Sequence, residues 1–599
     1  MCSSRYISEQ PLSVASVRAR VEGFLSANGL RLDPVDRYVT VTRDEDSDEI
    51  LAGGGLAGDV IKCVAVSEAA RGEGLMNALV SRLVSIATEE GHTCVKAFTK
   101  PENVRIFKDL GFSLLARAGK AVLMECGCGG ISEYSRYLSS LARPGRNGAI
   151  VMNANPFTKG HRYLVEQAAA QVDNLYVIPV REERSRFPYA ERKAMIEAGC
   201  AGLGNVTVCE GSGYAISAAT FPTYFLKRLD DAAPTQMELD LNLFARHIAA
   251  PLGVRVRFVG SEPLDALTRE YNGMMASVFA SAASDASVAP VTPDNQVGRP
   301  VIEVVEIPRL EQDGKPLNAT DVRQALDEGR LQEACKHIPE TSIPYLVADL
   351  AENALRAELD TTPKPGLVDK ADNGAHKDMD YRVMSAGISA LRPWFVRIAV
   401  ESAHHPDSER VRLAGIEAEK AMLAATGGVN THKGALFCIG LSVAAASFLA
   451  TTEGRVTESA FREGVAGLAA GIPSSDGTHG AAVRKAHKVA GALDNAREAW
   501  PRLFGSWLPF YRSLEGDPFR RHKTLLRIIT ELDDSNILHR RGTVGLELAR
   551  SAAGRLLEDF SEAGLASLNK DFIRENISPG GSADMLALTM FVNNILTTN

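Results

Sequence analysis

The residue pattern with the clearest chemistry in this chain is the stretch from Asn153 to His161, which ends in Thr158-Lys159-Gly160-His161. An apolar run from Gly148 to Met152 precedes it, and a helical pattern from Arg162 to Val172 follows it. This order predicts a strand, a phosphate-binding loop and a helix, because backbone N–H groups and the positive end of a helix attract anions. The helix end alone contributes at most about 2 kcal/mol, whereas each charge-assisted hydrogen bond to phosphate adds roughly 1.5–3 kcal/mol. We therefore expect His161, a partner arginine and Mg²⁺ to carry most of the stabilisation of a bound ATP.

A second pattern of the same kind lies downstream. The segment Pro300–Pro308 predicts another strand, and Asn318-Ala-Thr-Asp-Val-Arg323 predicts a helix start with Asn318 as its N-cap. Thr320 and Arg323 then fall in the first turn of that helix. The sequence therefore predicts that two helix starts with phosphate donors face one nucleotide.

Together the two patterns resemble the nucleotidyltransferase superfamily, which is marked by a T/H-x-G-H motif and a later I-S-x-T-x-x-R motif. Thr158 stands where many members have a histidine, and Asn318 stands where a serine is common. The resemblance implies a role in ATP binding or catalysis for Thr158, Lys159, Gly160, His161, Thr320 and Arg323. An adenylyltransferase of coenzyme synthesis is an alternative, which the threonine at position 158 disfavours.

The resemblance also implies how these side chains share the work. His161 and Lys159 would lie at the α- and β-phosphates, with the Thr158 hydroxyl as a further hydrogen-bond donor. Thr320 and Arg323 would hold the departing pyrophosphate. Because an anionic acceptor must approach an anionic triphosphate, positioning by cations is the main requirement.

Composition limits the class of protein. The chain has 599 residues, 45% of them hydrophobic and 23% charged, which is ordinary for a soluble globular protein of several domains. A formal net charge of −8 without a lysine or arginine run argues against a nucleic-acid partner. Nine scattered cysteines without a CxxC pair, and an N-terminus without an apolar signal core, predict a cytoplasmic protein. The most hydrophobic helix, Ala435–Ala450, is too short and too rich in small residues to span a bilayer, so we expect it inside a helical bundle and expect no membrane partner.

Residues 1–130 combine short strands, a glycine-rich turn and a helix, and so predict an α+β domain. The turn Ala70-Arg71-Gly72-Glu73-Gly74 follows the strand Val60–Val66 and opens the helix Leu75–Glu90, so that several amides can face a pyrophosphate. A helix-capping turn is the alternative interpretation. Together with Asn103–Phe112 the pattern resembles the GNAT acyltransferase fold, which implies that Arg71, Gly72 and Gly74 grip a coenzyme-A-like arm. No residue of this domain stands out as a general base, so we expect binding rather than acetylation here.

Residues 146–340 alternate predicted strands with helices, which is the signature of a Rossmann-like parallel α/β sheet. The strands are predicted at Gly148–Met152, Asn174–Val180, Val206–Glu210, Val254–Val259 and Pro300–Ile307. The run Ala280–Arg299 predicts an exposed loop. The segment Val180–Arg192 mixes four arginines with three glutamates, which is typical of a solvated charged face, with contacts to phosphate or acceptor as the alternative.

Residues 341–599 have almost no strand signal, and long Ala/Leu-rich helical patterns predict a separate all-α domain. Six polar motifs interrupt these helices. Each alone is an ordinary helix connection, but six in one apolar bundle favour a lined cleft. They occupy residues 361–369, 373–380, 428–434, 477–480, 533–541 and 578–582.

Within these motifs, carboxylates offer hard oxygen ligands for Mg²⁺ and basic side chains offer phosphate contacts. The candidate metal ligands are Asp369, Asp378 and Asp380. The candidate phosphate contacts are Lys364, His432, Lys433 and Arg540.

The residue types and the spacing of the six motifs resemble those of the triphosphoribosyl-dephospho-CoA synthase family, from Leu346 to the C-terminus. This resemblance implies transfer of the ribose triphosphate of ATP to the 2′-hydroxyl of 3′-dephospho-CoA, with release of adenine. Residues Arg5 to Leu331 resemble citrate lyase ligase. That resemblance implies ATP-dependent acetylation, with acetate, of the prosthetic-group thiol on the citrate lyase acyl carrier subunit, with release of AMP and diphosphate. Both point to citrate lyase maturation by one bifunctional enzyme; a non-catalytic scaffold for citrate lyase assembly is the alternative from another class.

The synthase chemistry sets its own demands. Breaking a ribose–adenine bond builds oxocarbenium character, so the site needs an anion, a proton for adenine and a base for the attacking hydroxyl. His376, Asp378 and Asp380 are the catalytic candidates. For the two aspartates, a metal-binding role and an acid–base role remain open alternatives.

Overall fold

The computed structural model describes residues 5–182, 185–214, 232–262, 266–284, 301–474 and 491–596. Contacts divide the chain into two compact units. The first comprises residues 1–153, 163–185 and 200–310, and the second comprises residues 154–162, 186–199 and 311–599. The predicted domain boundaries near residues 130, 146 and 340 stay predictions.

The first unit begins with a mostly antiparallel sheet. Its strands are β1 (Tyr6–Glu9), β2 (Arg37–Thr42), β3 (Ala52–Ala57), β4 (Val60–Val66), β5 (Cys94–Thr99), β6 (Ser113–Arg117) and β7 (Val122–Gly127). They lie in the order β1-β2-β3-β4-β5-β7-β6, and β4 and β5 pair in parallel. The helices here are α1 (Ala15–Ala27), α2 (Leu75–Glu89), α3 (Val104–Asp109) and α4 (Gly130–Leu141), with 3₁₀ turns at Glu68–Ala70 and Pro101–Asn103. Leu79 and Leu83 of α2 share one core with Val39 and Val41 of β2, because α2 turns an apolar stripe to the sheet.

A second, parallel sheet completes this unit. Its strands are β8 (Asn147–Met152), β9 (Asn174–Pro179), β10 (Val206–Val208), β11 (Val254–Gly260) and β12 (Glu303–Ile307), in the order β10-β9-β8-β11-β12. All four strand pairs are parallel. Every residue of β9 is buried, as expected for a strand covered on both faces. The strand order reverses at β8 and β11, the place where such sheets bind ligands beyond their carboxyl ends.

The helices that accompany these strands are α5 (Lys159–Ala169), α6 (Tyr189–Cys200), α7 (Ala232–Leu243), α8 (Ala250–Leu252) and α9 (Ala266–Ser284), and a π-helical turn at Phe244–Ala249 joins α7 to α8. The predicted parallel sheet is confirmed. The loop predicted at Ala280–Arg299 is wrong at its start, because residues 280–284 continue the helix α9. The rest of that loop, from residue 285, lies outside the described residues.

The second unit is helical apart from a short hairpin, β13 (Glu311–Gln312) and β14 (Lys315–Pro316). Its further helices are α10 (Ala319–Asp327), α11 (Leu331–Lys336), α12 (Ile343–Leu359), α13 (Tyr381–Ser402), α14 (Ser408–Ala425), α15 (Lys433–Thr452), α16 (Glu458–Ala470), α17 (Ala492–Arg497), α18 (Leu508–Ser513), α19 (Arg520–Glu531), α20 (Ser535–Glu558), α21 (Glu562–Arg574) and α22 (Gly580–Ile595). A 3₁₀ turn lies at Glu340–Ser342 and a π-helical turn at Leu503–Trp507. The predicted helical C-terminal region is confirmed.

Two of the described helices, α13 and α15, are long and apolar enough to cross a membrane by length and composition alone. Their most apolar windows are 33% and 83% buried inside the protein, respectively. Core helices of a bundle pass the same test, and the burial of α15 agrees with its predicted place in the bundle interior.

Candidate functional site

Thr158 holds His161 in a defined orientation. The Thr158 backbone N–H donates to Nδ1 of His161 at 3.0 Å, and the Thr158 hydroxyl oxygen lies 2.8 Å from the same nitrogen. The His161 backbone N–H in turn donates to the Thr158 hydroxyl oxygen at 3.2 Å. The Phe157 ring stacks on the imidazole, with ring centroids 5.8 Å apart. Because Nδ1 accepts a hydrogen bond, the neutral ring carries its proton on Nε2, and the loop presents an N–H donor there.

Arg323 joins the second sequence motif to this loop. Its guanidinium donates to the Asn155 carbonyl oxygen at 2.6 Å and to the Thr320 hydroxyl at 2.8 Å. Asn318 caps α10 as predicted, because its side-chain oxygen accepts the Thr320 backbone N–H at 2.9 Å. Burial and the neighbouring charge of Arg186 lower the pKa of Arg323, although a guanidinium stays protonated at neutral pH. Two motifs far apart in sequence are therefore brought together around one cation.

Lys159 and Gly160 lie on the same helix start. The Lys159 ammonium donates to the Lys336 carbonyl oxygen at 2.7 Å, at the carboxyl end of α11. A phosphate contact would require this exposed side chain to turn away from that carbonyl. A methyl group at Gly160 would lie 3.5 Å from Leu317 Cβ, an ordinary contact. Packing therefore does not require glycine here, and the predicted role of Gly160 in binding ATP stays a prediction.

The glycine-rich turn before α2 is exposed in the first unit. Gly72 and Gly74 have φ values of +88° and +77°, the left-handed region that favours glycine. Gly74 is the N-cap of α2, so the turn does cap a helix. Its predicted use of Arg71, Gly72 and Gly74 to bind a coenzyme-A-like arm stays a prediction.

The helical region contains a buried cluster of charged residues that are distant in sequence. Lys364 is 1% exposed and forms an ion pair with Glu358 at the end of α12. Asp584 of α22 lies against the first turn of α15, because a methyl group at Gly434 would come within 2.0 Å of its carboxylate. Asp534 is 1% exposed, caps α20 and accepts the Ser582 backbone N–H at 2.8 Å. Four of the predicted polar motifs therefore contribute to one polar interior.

The surroundings of the half-buried Asp584 make it an unusual carboxylic acid. Desolvation, with the like charges of Glu358 and Asp534, raises the pKa of Asp584 well above its ordinary value, against a backbone hydrogen bond from Ala435. Desolvation also raises the pKa of Asp534, although Ser582 and two backbone N–H groups oppose it. A carboxyl group with a raised pKa holds its proton more firmly than an ordinary one and is suited to act as a general acid.

His432 lies in the same interior. Its side chain is 3% exposed, and neither ring nitrogen has a hydrogen-bond partner among the described residues. Burial, with the charge of Lys364, lowers the pKa of His432 to about 3, so the ring is neutral under ordinary conditions. Its neighbour Lys433 is half exposed and forms an ion pair with Glu419 at 2.6 Å. The two residues predicted to touch phosphate thus differ sharply in environment.

His376 belongs to a second group of contacts. Its Nε2 lies 2.7 Å from the Ser578 hydroxyl oxygen, and Arg540 approaches its Nδ1 at 3.2 Å. Burial and the charge of Arg540 lower the pKa of His376, against the opposing effect of Asp378. Because Nδ1 faces a cationic donor, the proton of the neutral ring lies on Nε2 and is donated to Ser578. The motif 578–582 therefore touches both groups, through Ser578 and Ser582.

The candidate metal ligands are not gathered into one cluster. Asp369 is buried and accepts three backbone N–H groups of its own loop at 2.6–3.2 Å. Asp380 caps α13 by accepting a backbone N–H at 2.8 Å. Asp378 is 63% exposed and lies 3.7 Å from His376 Nδ1. Within the described part of the chain no group of three or more His, Cys, Asp or Glu side chains could hold a metal ion, so these aspartates do not fit an Mg²⁺ site made by protein alone.

The segment Val180–Arg192 is not simply a solvated charged face, because Arg192 is 0% exposed and Glu191 is paired with Arg392 of α13 at 2.7 Å. Burial of these charges requires partners, which the helices supply. The polar motif at residues 477–480 lies outside the described residues.

Sequence reasoning missed Glu358 and Asp584. Both lie on helices whose patterns are otherwise those of a packed core. The available signal was that Asp584 is the single charged residue in the 16 residues of α22. A lone acid in an apolar helix must have a partner or keep its proton.

The fold and the two polar sites define a two-part enzyme. In sequence order, a loop typical of nucleotide-binding proteins comes first, and a cluster of charged side chains inside a helical bundle follows. Family models match in the same order: the citrate lyase ligase C-terminal domain at residues 147–346 and the ATP:dephospho-CoA triphosphoribosyl transferase family at residues 344–599. The [citrate [pro-3S]-lyase] ligase of Escherichia coli K12 is 41% identical over 331 residues, 55% of this chain and 90% of the relative. The probable 2-(5''-triphosphoribosyl)-3'-dephosphocoenzyme-A synthase of Pseudomonas paraeruginosa is 38% identical over 274 residues, 43% of this chain and 93% of the relative. The chain therefore belongs to the citrate lyase ligase family in its N-terminal part and to the triphosphoribosyl-dephospho-CoA synthase family in its C-terminal part.

Among solved structures, Escherichia coli ElaA matches 20% of this chain and 99% of its own, with 19% identity and a TM-score of 0.18. A score this low carries no argument about the fold. The GNAT-like assignment of the N-terminal sheet therefore stays a prediction.

Proposed function

We propose that this protein matures citrate lyase at two separate ATP-dependent active sites. The N-terminal part acetylates the prosthetic-group thiol on the acyl carrier subunit, and the helical part makes the precursor of that group from ATP and 3′-dephospho-CoA. The observation that carries the proposal is that each family's segment assembles its own polar site, one around His161 and Arg323, the other around Lys364 and Asp584.

In the ligase step, an acetate oxygen attacks the α-phosphorus of ATP and pyrophosphate leaves. The thiol sulfur then attacks the acetyl carbon, AMP leaves, and the thiol proton passes to solvent. His161 donates from Nε2 to a phosphate oxygen, and its orientation by Thr158 avoids a reorganisation cost during the reaction. Arg323, with the Thr320 hydroxyl beside it, binds the charge that develops on pyrophosphate. The turn at Arg71–Gly74 holds the phosphate end of the pantetheine arm that carries the thiol.

In the synthase step, the 2′-hydroxyl oxygen of 3′-dephospho-CoA bonds to the anomeric carbon of the ATP ribose while the bond to adenine breaks. Asp584, whose raised pKa favours the protonated form, supplies a proton to the departing adenine. A second acidic side chain takes the hydroxyl proton, and Asp378 and Asp380 are the candidates for that role. Lys364 and Arg540 bind phosphate groups of the two substrates.

Mg²⁺ enters the proposal only as the ion that accompanies ATP. Of the aspartates predicted as its ligands, Asp369 and Asp380 accept backbone N–H groups, and Asp378 is an exposed neighbour of His376. Magnesium in nucleotide sites is held largely by phosphate oxygens and water, with one or two carboxylates. No step is therefore assigned to a protein-bound metal.

The decisive experiment separates the two activities by variant. His161→Ala should abolish acetate-dependent exchange of pyrophosphate into ATP and leave adenine release from ATP plus dephospho-CoA intact. Asp584→Asn should do the reverse. Loss of both activities from either change would refute the two-site proposal.

The same assays address the alternatives. A coenzyme-pathway adenylyltransferase would exchange pyrophosphate into ATP in the presence of its own acceptor, with or without acetate. A structural scaffold would show neither exchange nor adenine release. Either result would replace the proposed function.

A further inference from the structure

We propose that the second unit contains an additional binding site for a phosphate-bearing anion, lined by residues other than those assigned to the two active sites. The site is a cavity of about 600 Å³ lined by five arginines and no lysine. These are Arg186, Arg356, Arg392, Arg520 and Arg521. The volume is within the range of small-molecule sites. None of the residues assigned above to the ligase or synthase chemistry lines it.

One side of the cavity has an excess of positive charge. Its four carboxylates, Asp327, Glu328, Asp349 and Glu352, are all engaged in ion pairs. Arg186, Arg356 and Arg392 are the partners of three of them. Arg520 and Arg521 have no carboxylate partner within ion-pair distance in the part of the chain that the structure describes, so the positive charge of this pair is left for a ligand.

The two unpaired arginines are held in place by main-chain carbonyls. Arg520 donates to the Tyr511 carbonyl oxygen at 2.6 Å, and its guanidinium lies 3.6 Å from the centroid of the Tyr511 ring. Arg521 donates to the Ala357 carbonyl oxygen at 2.7 Å. Each guanidinium has five N–H donors, so both keep donors for another acceptor. They begin α19, a helix of 12 residues whose positive end adds to the attraction for an anion.

The chemistry of the lining selects phosphate. A guanidinium matches two oxygens of a phosphate at once, which an ammonium group cannot do. Amides from Asn353, Asn593 and Asn594 add neutral donors, and Leu350 and Met590 add an apolar floor. Pyrophosphate, a product of the proposed ligase step, and nucleoside diphosphates both have this recognition chemistry.

Equilibrium dialysis of the full-length protein with radiolabelled pyrophosphate tests the proposal. The Arg520→Gln/Arg521→Gln variant should bind one pyrophosphate fewer per chain, or bind it about tenfold or more weakly, because at least one charge-assisted hydrogen bond is lost. Ligase and synthase turnover at saturating substrate should stay within about twofold of the unmodified protein. A matched double variant, Arg397→Gln/Arg412→Gln, removes two exposed helix arginines and should bind normally.

A second variant distinguishes a loss of the binding site from misfolding of the double arginine variant. Asn593→Asp keeps the acceptor that Arg512 uses at 3.2 Å and adds a negative charge to the cavity, so it should weaken pyrophosphate binding in the same way. Competition by ADP would show that the cavity also accepts a nucleoside, and its failure would restrict the ligand to pyrophosphate. Unchanged binding in the two cavity variants, or an equal loss in the matched control, would overturn the proposal.

Discussion

Asp584 shows how a single residue acquires its chemistry from its surroundings. The carboxyl group lies beside two other acids, Glu358 and Asp534, in an interior closed by apolar helices. One of its contacts, the Ala435 backbone N–H, favours the ionised form, but desolvation and the two like charges outweigh it. A proton retained in this way is available to a leaving group, which is the property that the synthase reaction requires.

Replacement of this acid should therefore separate activity from stability. A raised pKa in the folded state contributes stability below the unfolded pKa and loses it as pH rises through the folded pKa. Asp584→Asn removes the charge that the fold disfavours, so the variant should melt at a higher temperature than the unmodified protein at pH 8, with a smaller difference at about pH 4, near the ordinary pKa of a carboxyl group. Adenine release should fall by roughly 100-fold or more.

Thermal melts at the two pH values, with adenine release measured by chromatography, check this expectation. Asp559→Asn, at an exposed helix end, is the matched control and should change neither quantity. A lower melting temperature for Asp584→Asn at pH 8 would contradict the assignment.

His432 should make the fold sensitive to acid. The pH dependence of its contribution to stability is opposite in sign to that of Asp584. Its pKa is about 3 in the folded state and about 6.5 when exposed, so its contribution to stability is complete above pH 6.5 and is lost as pH falls toward 3. Between pH 7 and pH 5 the loss should be about 2 kcal/mol. His432→Leu should lack this component in urea unfolding, whereas His405→Gln, at an exposed position, should retain it. Parallel pH profiles for His432→Leu and the unmodified protein would show that the ring does not titrate as inferred.

At the level of secondary-structure elements, the sequence predicts best those features that depend on one short continuous segment. The loop before α5, the N-cap of α10 and the five strands of the parallel sheet follow from short local patterns, and the structure contains all of them. The pairing of Lys364 with Glu358 and the approach of Asp584 to α15 depend on how helices pack, which no local pattern records. The charged segment Val180–Arg192 is difficult to interpret from sequence for the same reason, since the partner of its Glu191 lies 201 residues away.

The start of α15 offers a sharp test of that packing. A methyl group at Gly434 would come within 2.0 Å of the Asp584 carboxylate, whereas one at Gly440 of the same helix would meet Ile398 at an ordinary 3.6 Å. Gly434→Ala should therefore displace Asp584, lower adenine release at least tenfold and destabilise the fold by about 1–3 kcal/mol. Gly440→Ala should be neutral or stabilise by up to about 1 kcal/mol, because alanine favours a helix. Equal effects of the two substitutions on adenine release would contradict the proposed position of Asp584.

For the molecule as a whole, the buried ion network of the second unit joins residues from both family segments. Arg392 of α13 pairs with Glu191 at 2.7 Å and also with Glu352 of α12, while Arg186 pairs with Asp349 at 2.7 Å. Although burial works against it, the hydrogen bond and charge of Glu191, with the two α12 acids, raise the pKa of Arg392. The phosphate loop of the ligase segment belongs to the same compact unit as these helices.

Removal of Arg392 should consequently weaken both segments together. Arg392→Met removes the common partner of Glu191, Asp349 and Glu352, although Asp349 keeps Arg186 and Glu352 keeps Arg356. The loss should cost about 3–5 kcal/mol in urea unfolding. Arg397→Met, five residues further along α13, breaks a surface pair with Glu401 and a contact with the Trp394 ring, and should cost less than about 1 kcal/mol. On mild heating, pyrophosphate exchange and adenine release should be lost in parallel in Arg392→Met, at a lower temperature than in the control. If Arg392→Met unfolds like the control, or if one activity survives the loss of the other, the network does not bind the two catalytic segments into one cooperative unit.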